Sequence, residues 1–182
     1  MSSFAFITAF GQDRTGIVAA IAEALFHLGC NIEDTCMTRL RSEFTMMIIV
    51  RLPNGITAEQ LAERLALSTE PLGLTMFCRP LTAKGAARIP ESDVPTFMLS
   101  VYGADQPGIV AKVTRAVADY KGNITDANTR VIGETERPVY VMILEVEMPA
   151  TADAEGLGQE LDALKQSLGV DITFRPLEEV RF

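Results

Sequence analysis

The sequence predicts an α+β protein made of two copies of one small unit, each a four-stranded antiparallel sheet with two helices on one face. Three landmarks carry this prediction. Gly11-Gln12-Asp13-Arg14-Thr15-Gly16-Ile17-Val18 returns 92 residues later as Gly103-Ala104-Asp105-Gln106-Pro107-Gly108-Ile109-Val110. Asn31-Ile32-Glu33-Asp34 returns at the same interval as Asn123-Ile124-Thr125-Asp126, and Arg79-Pro80-Leu81 returns after 96 residues as Arg175-Pro176-Leu177. Landmarks kept in order at nearly one spacing mark an internal duplication. Between them the hydrophobic pattern changes period in the same sequence twice, in the order βαββαβ.

In the first unit, Phe4 to Phe10 is β-prone and almost without polarity, and reads as a strand. Gly11 to Thr15 is a turn. Gly16 to Leu28 reads as a helix, because Ile17, Ile21, Leu25 and Leu28 fall on one face of a 3.6-residue period. Gly29 suits its C-terminal cap. Thr35 to Arg41 and Phe44 to Leu52 are predicted strands joined at Ser42-Glu43. Thr57 to Ser68 is a second helix, with Thr57 as N-cap and Leu61, Leu65 and Leu67 facing inward. Leu74 to Pro80 closes the unit as a strand.

The second unit repeats the order. Thr96 to Tyr102 is a strand, and Pro107 to Tyr120 a helix whose proline sits where no N–H is needed. Ile124 to Ile132 and Val139 to Glu147 form a hairpin, and its longer loop, Gly133 to Pro138, accounts for the drift in spacing. Thr151 to Ser167 is a helix and Val170 to Pro176 a strand. The domain boundaries are therefore 1–81 and 96–182, with residues 82–95 as a linker rich in proline and both charge signs. Right-handed crossovers give a βαββαβ order a ferredoxin-like arrangement. The sheet face without helices needs a cover, which a second copy of the unit supplies most simply.

The net charge of −8 falls mostly on residues 96–182, which hold 8 basic and 14 acidic side chains. Neither unit has a basic stripe for phosphates, so direct nucleic-acid binding is not expected. No apolar run is long enough to span a membrane, and the N-terminus alternates like a strand rather than a leader. The expected location is the cytoplasm, where Cys30, Cys36 and Cys78 read as free buried thiols. A single histidine, His27, late in a helix, and the absence of C-x-x-C, G-x-S-x-G and P-loop motifs argue against an enzyme, a metal site or a cofactor. Met37, Met46, Met47 and Met76 read as core, and Glu134, Glu136, Glu145 and Glu147 as a solvated hairpin face.

The glycine-rich turn has two readings. Gly11 and Gly16 let the backbone bend and approach a ligand, and the helix behind them offers unpaired N–H groups and a positive dipole end to a carboxylate. Asp13 and Asn31 would then meet the ammonium and the remaining groups of an amino acid. Alternatively Asp13 caps the helix, the glycines serve only the turn, and Asn31 holds a corner.

Gly11-Gln12-Asp13-Arg14-Thr15-Gly16-Ile17-Val18 with Gly29-Cys30-Asn31-Ile32-Glu33-Asp34, and their counterparts in the second unit, resemble the amino-acid-binding regulatory domain called the ACT domain. The resemblance covers nearly the whole chain. It departs at Thr15, where the family often has the proline found at Pro107, and at Lys121-Gly122, which replaces Gly29-Cys30. It implies a ferredoxin-like fold and small amino acids held where two domains meet. By motif position it assigns ligand binding to Gly11, Asp13, Gly16, Ile17 and Asn31, and to Gly103, Asp105, Gly108, Ile109 and Asn123. The expected function is a non-enzymatic amino-acid sensor, with glycine or serine as candidate ligands. It would act through a protein partner, such as a transcription activator or a metabolic enzyme, with a homo-oligomer as a candidate assembly. The alternative is a regulatory subunit of a separate metabolic enzyme.

Overall fold

Alternation along the first strand sets the architecture. A computed structural model describes residues 3–87, 94–133 and 138–177. Strand β1, Phe4–Gln12, buries Ala5, Ile7 and Ala9 on one face and turns Phe6, Thr8 and Phe10 to the other. It pairs antiparallel with β3, Glu43–Arg51, and with β4, Thr75–Leu81. β2, Asn31–Leu40, pairs with β3 along its outer side, giving the order β2-β3-β1-β4. Helices α1, Ile17–His27, and α2, Ala58–Thr69, place Ile17, Ile21, Leu25, Leu61 and Leu65 in one core with the inner faces of β1 and β3. Each such side chain contributes roughly 1.5–3 kcal/mol by leaving water.

The second unit has the same plan. β5, Thr96–Ala104, is flanked by β7, Val139–Glu147, and β8, Val170–Pro176, with β6, Asn123–Ile132, outermost, in the order β6-β7-β5-β8. Helices α4, Ile109–Asp119, and α5, Ala154–Leu168, complete a separate core around Leu99, Val101, Met142, Leu144, Val113 and Leu157. Contacts divide the chain into two units, Met1–Pro90 and Glu91–Phe182. The predicted fold, two ferredoxin-like βαββαβ units, is the observed one.

Several boundaries differ from the sequence expectation. β2 starts at Asn31, not Thr35, and carries a bulge between Ile32 and Asp34. Every residue of this edge strand is exposed, so burial imposes no alternation on it. Pro107 precedes α4 rather than entering it, because Gly108 is the N-cap. α5 begins at Ala154 because the Asp153 side chain, not Thr151, accepts the Gly156 N–H at 2.8 Å. Residues 83–86 of the expected linker form a helical turn, α3, Ala83–Ala86, capped by Thr82. Residues 88–93 of that linker lie outside the described residues, as do Glu134 and Glu136.

Some expected core positions are at the surface. Leu67 is exposed, while Leu61 and Leu65 are fully buried. Met46 is buried, but Met37 and Met47 are exposed. Cys36 is exposed, and Cys30 and Cys78 are only half-buried. Burial raises both of those thiols, Cys78 to about 11 with help from Cys30 and Glu59. Among the described residues, no helix is long and apolar enough to cross a membrane, and no cluster of three metal-ligating side chains occurs.

The N-terminus of α2 is held by a reciprocal cap. The Thr57 hydroxyl accepts the Gln60 N–H at 3.3 Å, and the Gln60 side chain accepts the Thr57 N–H at 3.1 Å. Thr57→Ala removes half of this arrangement, at a cost of about 1 kcal/mol. For a unit of this size, scanning calorimetry should record a fall in Tm of about 4–8 °C. Alkylation at pH 8 should modify Cys36 first and Cys78 last, as read by peptide mass mapping.

Candidate functional site

The turn between β1 and α1 is pinned on both sides. The Asp13 N–H donates to the Ser42 carbonyl at 2.8 Å, tying the turn to the β2–β3 hairpin. Arg14 Nη2 donates to the Leu72 carbonyl at 2.6 Å, tying it to the segment before β4. Between these ties the chain enters α1 through Gly16, whose φ of 93° lies in the left-handed region. A Cβ on Gly16 would meet nothing within 4 Å, so conformation and not crowding requires glycine there.

Gly16 is also the N-cap, and it has no side chain to accept the first helical N–H groups. Asp13 does not take that role. Its carboxylate faces Arg39, with Oδ2 3.4 Å from Nη1. The Ile17 N–H donates to the Arg14 carbonyl at 3.5 Å, so among the described residues the Val18 and Ala19 N–H groups are the donors left at the positive end of the helix dipole. A cavity of about 250 Å³ adjoins it, lined by Asp13, Gly16, Ile17 and Val18 on the helix side and by Met37 and Phe44 on the sheet side. Its charged lining residues are Asp13 and Arg14, and Ile17, Val18, Ala19, Met37 and Phe44 are apolar.

The predicted site residues are not all brought together. Asp13, Gly16 and Ile17 line the cavity. Gly11 packs against the start of β4 instead, where a Cβ would approach Leu74 Cδ2 to 3.0 Å and the Gly73 carbonyl to 3.1 Å. Asn31 lies at the other end of the sheet. It pairs with Arg51, the residue opposite Phe4, whereas Gly11 lies opposite Phe44. That separation is about 23 Å along β1 at roughly 3.3 Å per residue. There Asn31 Nδ2 donates to Glu33 Oε1 at 2.8 Å, and Arg51 donates to the same carboxylate. The amide of Asn31 first, and Arg51 second, hold the Glu33 carboxyl below its usual range.

The second unit repeats the frame. Gly108 is the left-handed N-cap of α4, with φ of 99° and no side-chain cap. Gln106 Nε2 donates to the Leu168 carbonyl, the counterpart of the Arg14 tie. Gly103 packs against Val170, whose Cγ1 would lie 2.7 Å from an added Cβ. Ile109 is buried beneath the first turn of α4, and Asp105 is exposed beside it in sequence. Asn123 again stands at the far end of its sheet, opposite Glu147, to which it donates at 3.4 Å. A separate depression of about 450 Å³ lies on the outer face of the second sheet, between Asn128, Arg130, Val141 and Ile143, and none of the predicted residues line it.

Sequence reasoning missed Arg39, Met37 and Phe44 at the first corner, and Arg14 and Gln106 as its ties. Period-two alternation puts Met37 and Arg39 on one face of β2. Only the cross-strand register, with Arg39 opposite Phe44, brings that face to the turn.

Two small antiparallel sheets with helices on one face, each entered through an uncapped glycine turn, define a tandem regulatory-domain architecture. The chain belongs to the ACT domain family, which matches residues 3–79 and 95–175. It is 32% identical over 161 residues to the glycine cleavage system transcriptional repressor of Escherichia coli K12, covering 87% of this chain and 82% of that protein. It is 32% identical over 87 residues to a UPF0237 protein of Methanosarcina mazei, covering 47% of this chain and 90% of that protein. A crystal structure of an unknown protein from Galdieria sulphuraria superimposes with a TM-score of 0.79 at 24% identity, covering 98% of this chain and 100% of that one. That likeness shows the two-unit fold.

The Glu33 carboxylate gives a pH test of where Asn31 acts. Its depressed folded pKa stabilises the fold above the unfolded carboxylate pKa, and that contribution is lost as pH falls through the folded value. Asn31→Ala should move the Glu33 titration, followed by carboxyl-carbon NMR, up toward the ordinary range.

Proposed function

We propose that this chain is an amino-acid-sensing regulatory protein without catalytic activity of its own. The observation that carries this reading is the free first turn of α1, which opens on a mostly apolar cavity with one carboxylate, Asp13, at its rim. A small zwitterion fits that arrangement: its carboxylate meets the N–H groups and the dipole, and its ammonium meets Asp13. Gly16, Ile17 and Asp13 serve the first corner, and Gly108, Ile109 and Asp105 hold the same positions in the second. Gly11 and Gly103 serve them indirectly, by letting the turn lie close against the next strand.

Asn31 and Asn123 do not reach the corner of their own unit, because they stand at the opposite end of its sheet. A bound amino acid shifts the protein only by its differential affinity for two arrangements. Glycine and serine are the candidate ligands, glycine being favoured by the name of the Escherichia coli relative. Glycine has about five heavy atoms, and a ceiling of ~1.5 kcal/mol per atom limits Kd to the low micromolar range or weaker. The net charge of −8 makes a protein partner, such as a transcription activator or a metabolic enzyme, the fitting output rather than DNA itself. The setting is the cytoplasm.

A thermal-shift screen against the twenty amino acids should raise Tm with glycine or serine, by mass action on the native state. Asp13→Ala should abolish that shift while far-UV circular dichroism stays unchanged. A screen with no responding amino acid would overturn the reading.

A further inference from the structure

We propose that Arg39 reads the carboxylate of the amino acid in the first unit, and that the second unit, with Val131 in the same place, does not hold a zwitterion in this way. The inference rests on the sensing function proposed above and adds to it a residue and an asymmetry. Arg39 lies opposite Phe44 on β3, and Phe44 lies opposite Gly11 on β1, so the three form one row across the sheet at the turn. Phe44 lines the cavity, and so does Met37, which shares the face of Arg39 two residues earlier on β2. Arg39 does not itself line the cavity, but its guanidinium reaches Asp13, which does, at 3.4 Å.

The pairing of Arg39 with Asp13 leaves both groups available. It is one contact of 3.4 Å, with the side chains 65% and 32% exposed. A pair of that kind is weak and easily exchanged for a better partner. A bound amino acid offers one: its carboxylate faces the guanidinium fork while its ammonium faces Asp13, so each charge of the ligand meets its opposite. Arg14 also lines the cavity, but its guanidinium is held away toward β4 by the bond from Nη2 to the Leu72 carbonyl, which leaves Arg39 as the cation paired with Asp13.

The second unit has the same row with different chemistry. Val131 lies opposite Tyr140, and Tyr140 lies opposite Gly103, so Val131 occupies the place of Arg39 and Tyr140 that of Phe44. The neighbouring Arg130 faces the other side of the sheet, beside Val141 and Ile143. Among the described residues Asp105 has no ion-pair partner. An acid without a cation repels a carboxylate. Tyr140 is also the bulkier side chain, and among the described residues its buried hydroxyl has no partner. One zwitterion per chain follows.

The test compares glycine with glycinamide, which keeps the ammonium and lacks the carboxylate, and serine with serinamide, by calorimetry on the full chain. Wild-type protein should prefer the free acid, and Arg39→Met should lose about 10- to 100-fold of that preference, the range of one charge-assisted hydrogen bond. Arg39→Lys should recover part of it. The side chain is exposed, so both variants should keep the wild-type circular dichroism. A binding stoichiometry of one per chain is expected. Arg39→Met that still prefers the acid as strongly as wild type, or two equivalent sites per chain, would overturn the inference while leaving amino-acid sensing intact. Wild-type protein that binds none of the twenty amino acids would overturn both.

Discussion

A glycine in the left-handed region at the head of each leading helix governs what this fold can offer a ligand. A residue with a polar side chain at that position would cap its own helix and use up the donors there. Gly16 and Gly108 take the required φ without strain and bring no acceptor with them. The helix is thus left with unsatisfied N–H groups at a point the sheet does not cover. Everything else near the corner is arranged around those donors. Asp13 is turned aside to Arg39, Ile17 is buried as the floor, and Met37 and Phe44 form the wall.

The duplication separates scaffold from site. Residues that hold the turn in place do the same work in both units despite changes in identity. Arg14 and Gln106 both donate to the carbonyl just before a left-handed glycine, Gly73 or Gly169. Gly11 and Gly103 both lie close against the next strand, tightly at Gly11 and too close for a Cβ without a shift at Gly103. The turn keeps Asp13, Gly16 and Ile17 as Asp105, Gly108 and Ile109, but the β2–β3 side of the corner differs: Val131 stands in the place of Arg39, Thr129 in that of Met37, and Tyr140 in that of Phe44. Copies under the same folding constraint keep the ties, while the lining is free to take different chemistry in each.

The same distinction explains what could be read from the sequence. β7 and β8 lie where they were expected, because each is a continuous β-prone run with a clear bound such as Pro138 or Gly169. β2 did not show its start, since an exposed edge strand owes its existence to hydrogen bonds with β3 rather than to any local pattern. Leu67 follows Leu65 by two positions, which turns it away from the face that Leu61 and Leu65 share. The position of Asn31, after the helix and at the start of β2, was legible. A helix of 11 residues returning alongside β1 carries the chain back by about 16 Å, so the strand after it must begin at the far end. Arg39 was not legible at all, because its meeting with Asp13 depends on a cross-strand register that spans three strands.

A ligand of few atoms imposes a last requirement, which the two ties satisfy. The binding free energy of something as small as glycine has a low ceiling, and any ordering of the protein on binding is subtracted from it. A loose loop of several residues would cost about 1–2 kcal/mol per residue to fix, which would consume most of that ceiling. Here the turn is already fixed in the free protein, at one side by the Ser42 carbonyl and at the other by the Leu72 carbonyl. The ordering cost has been met during folding, where the burial of a whole core offsets it. A corner that must recognise a ligand of this size has to be stiff before the ligand arrives, and for that reason the ties at Arg14 and Gln106 belong to recognition as much as the groups that touch the ligand.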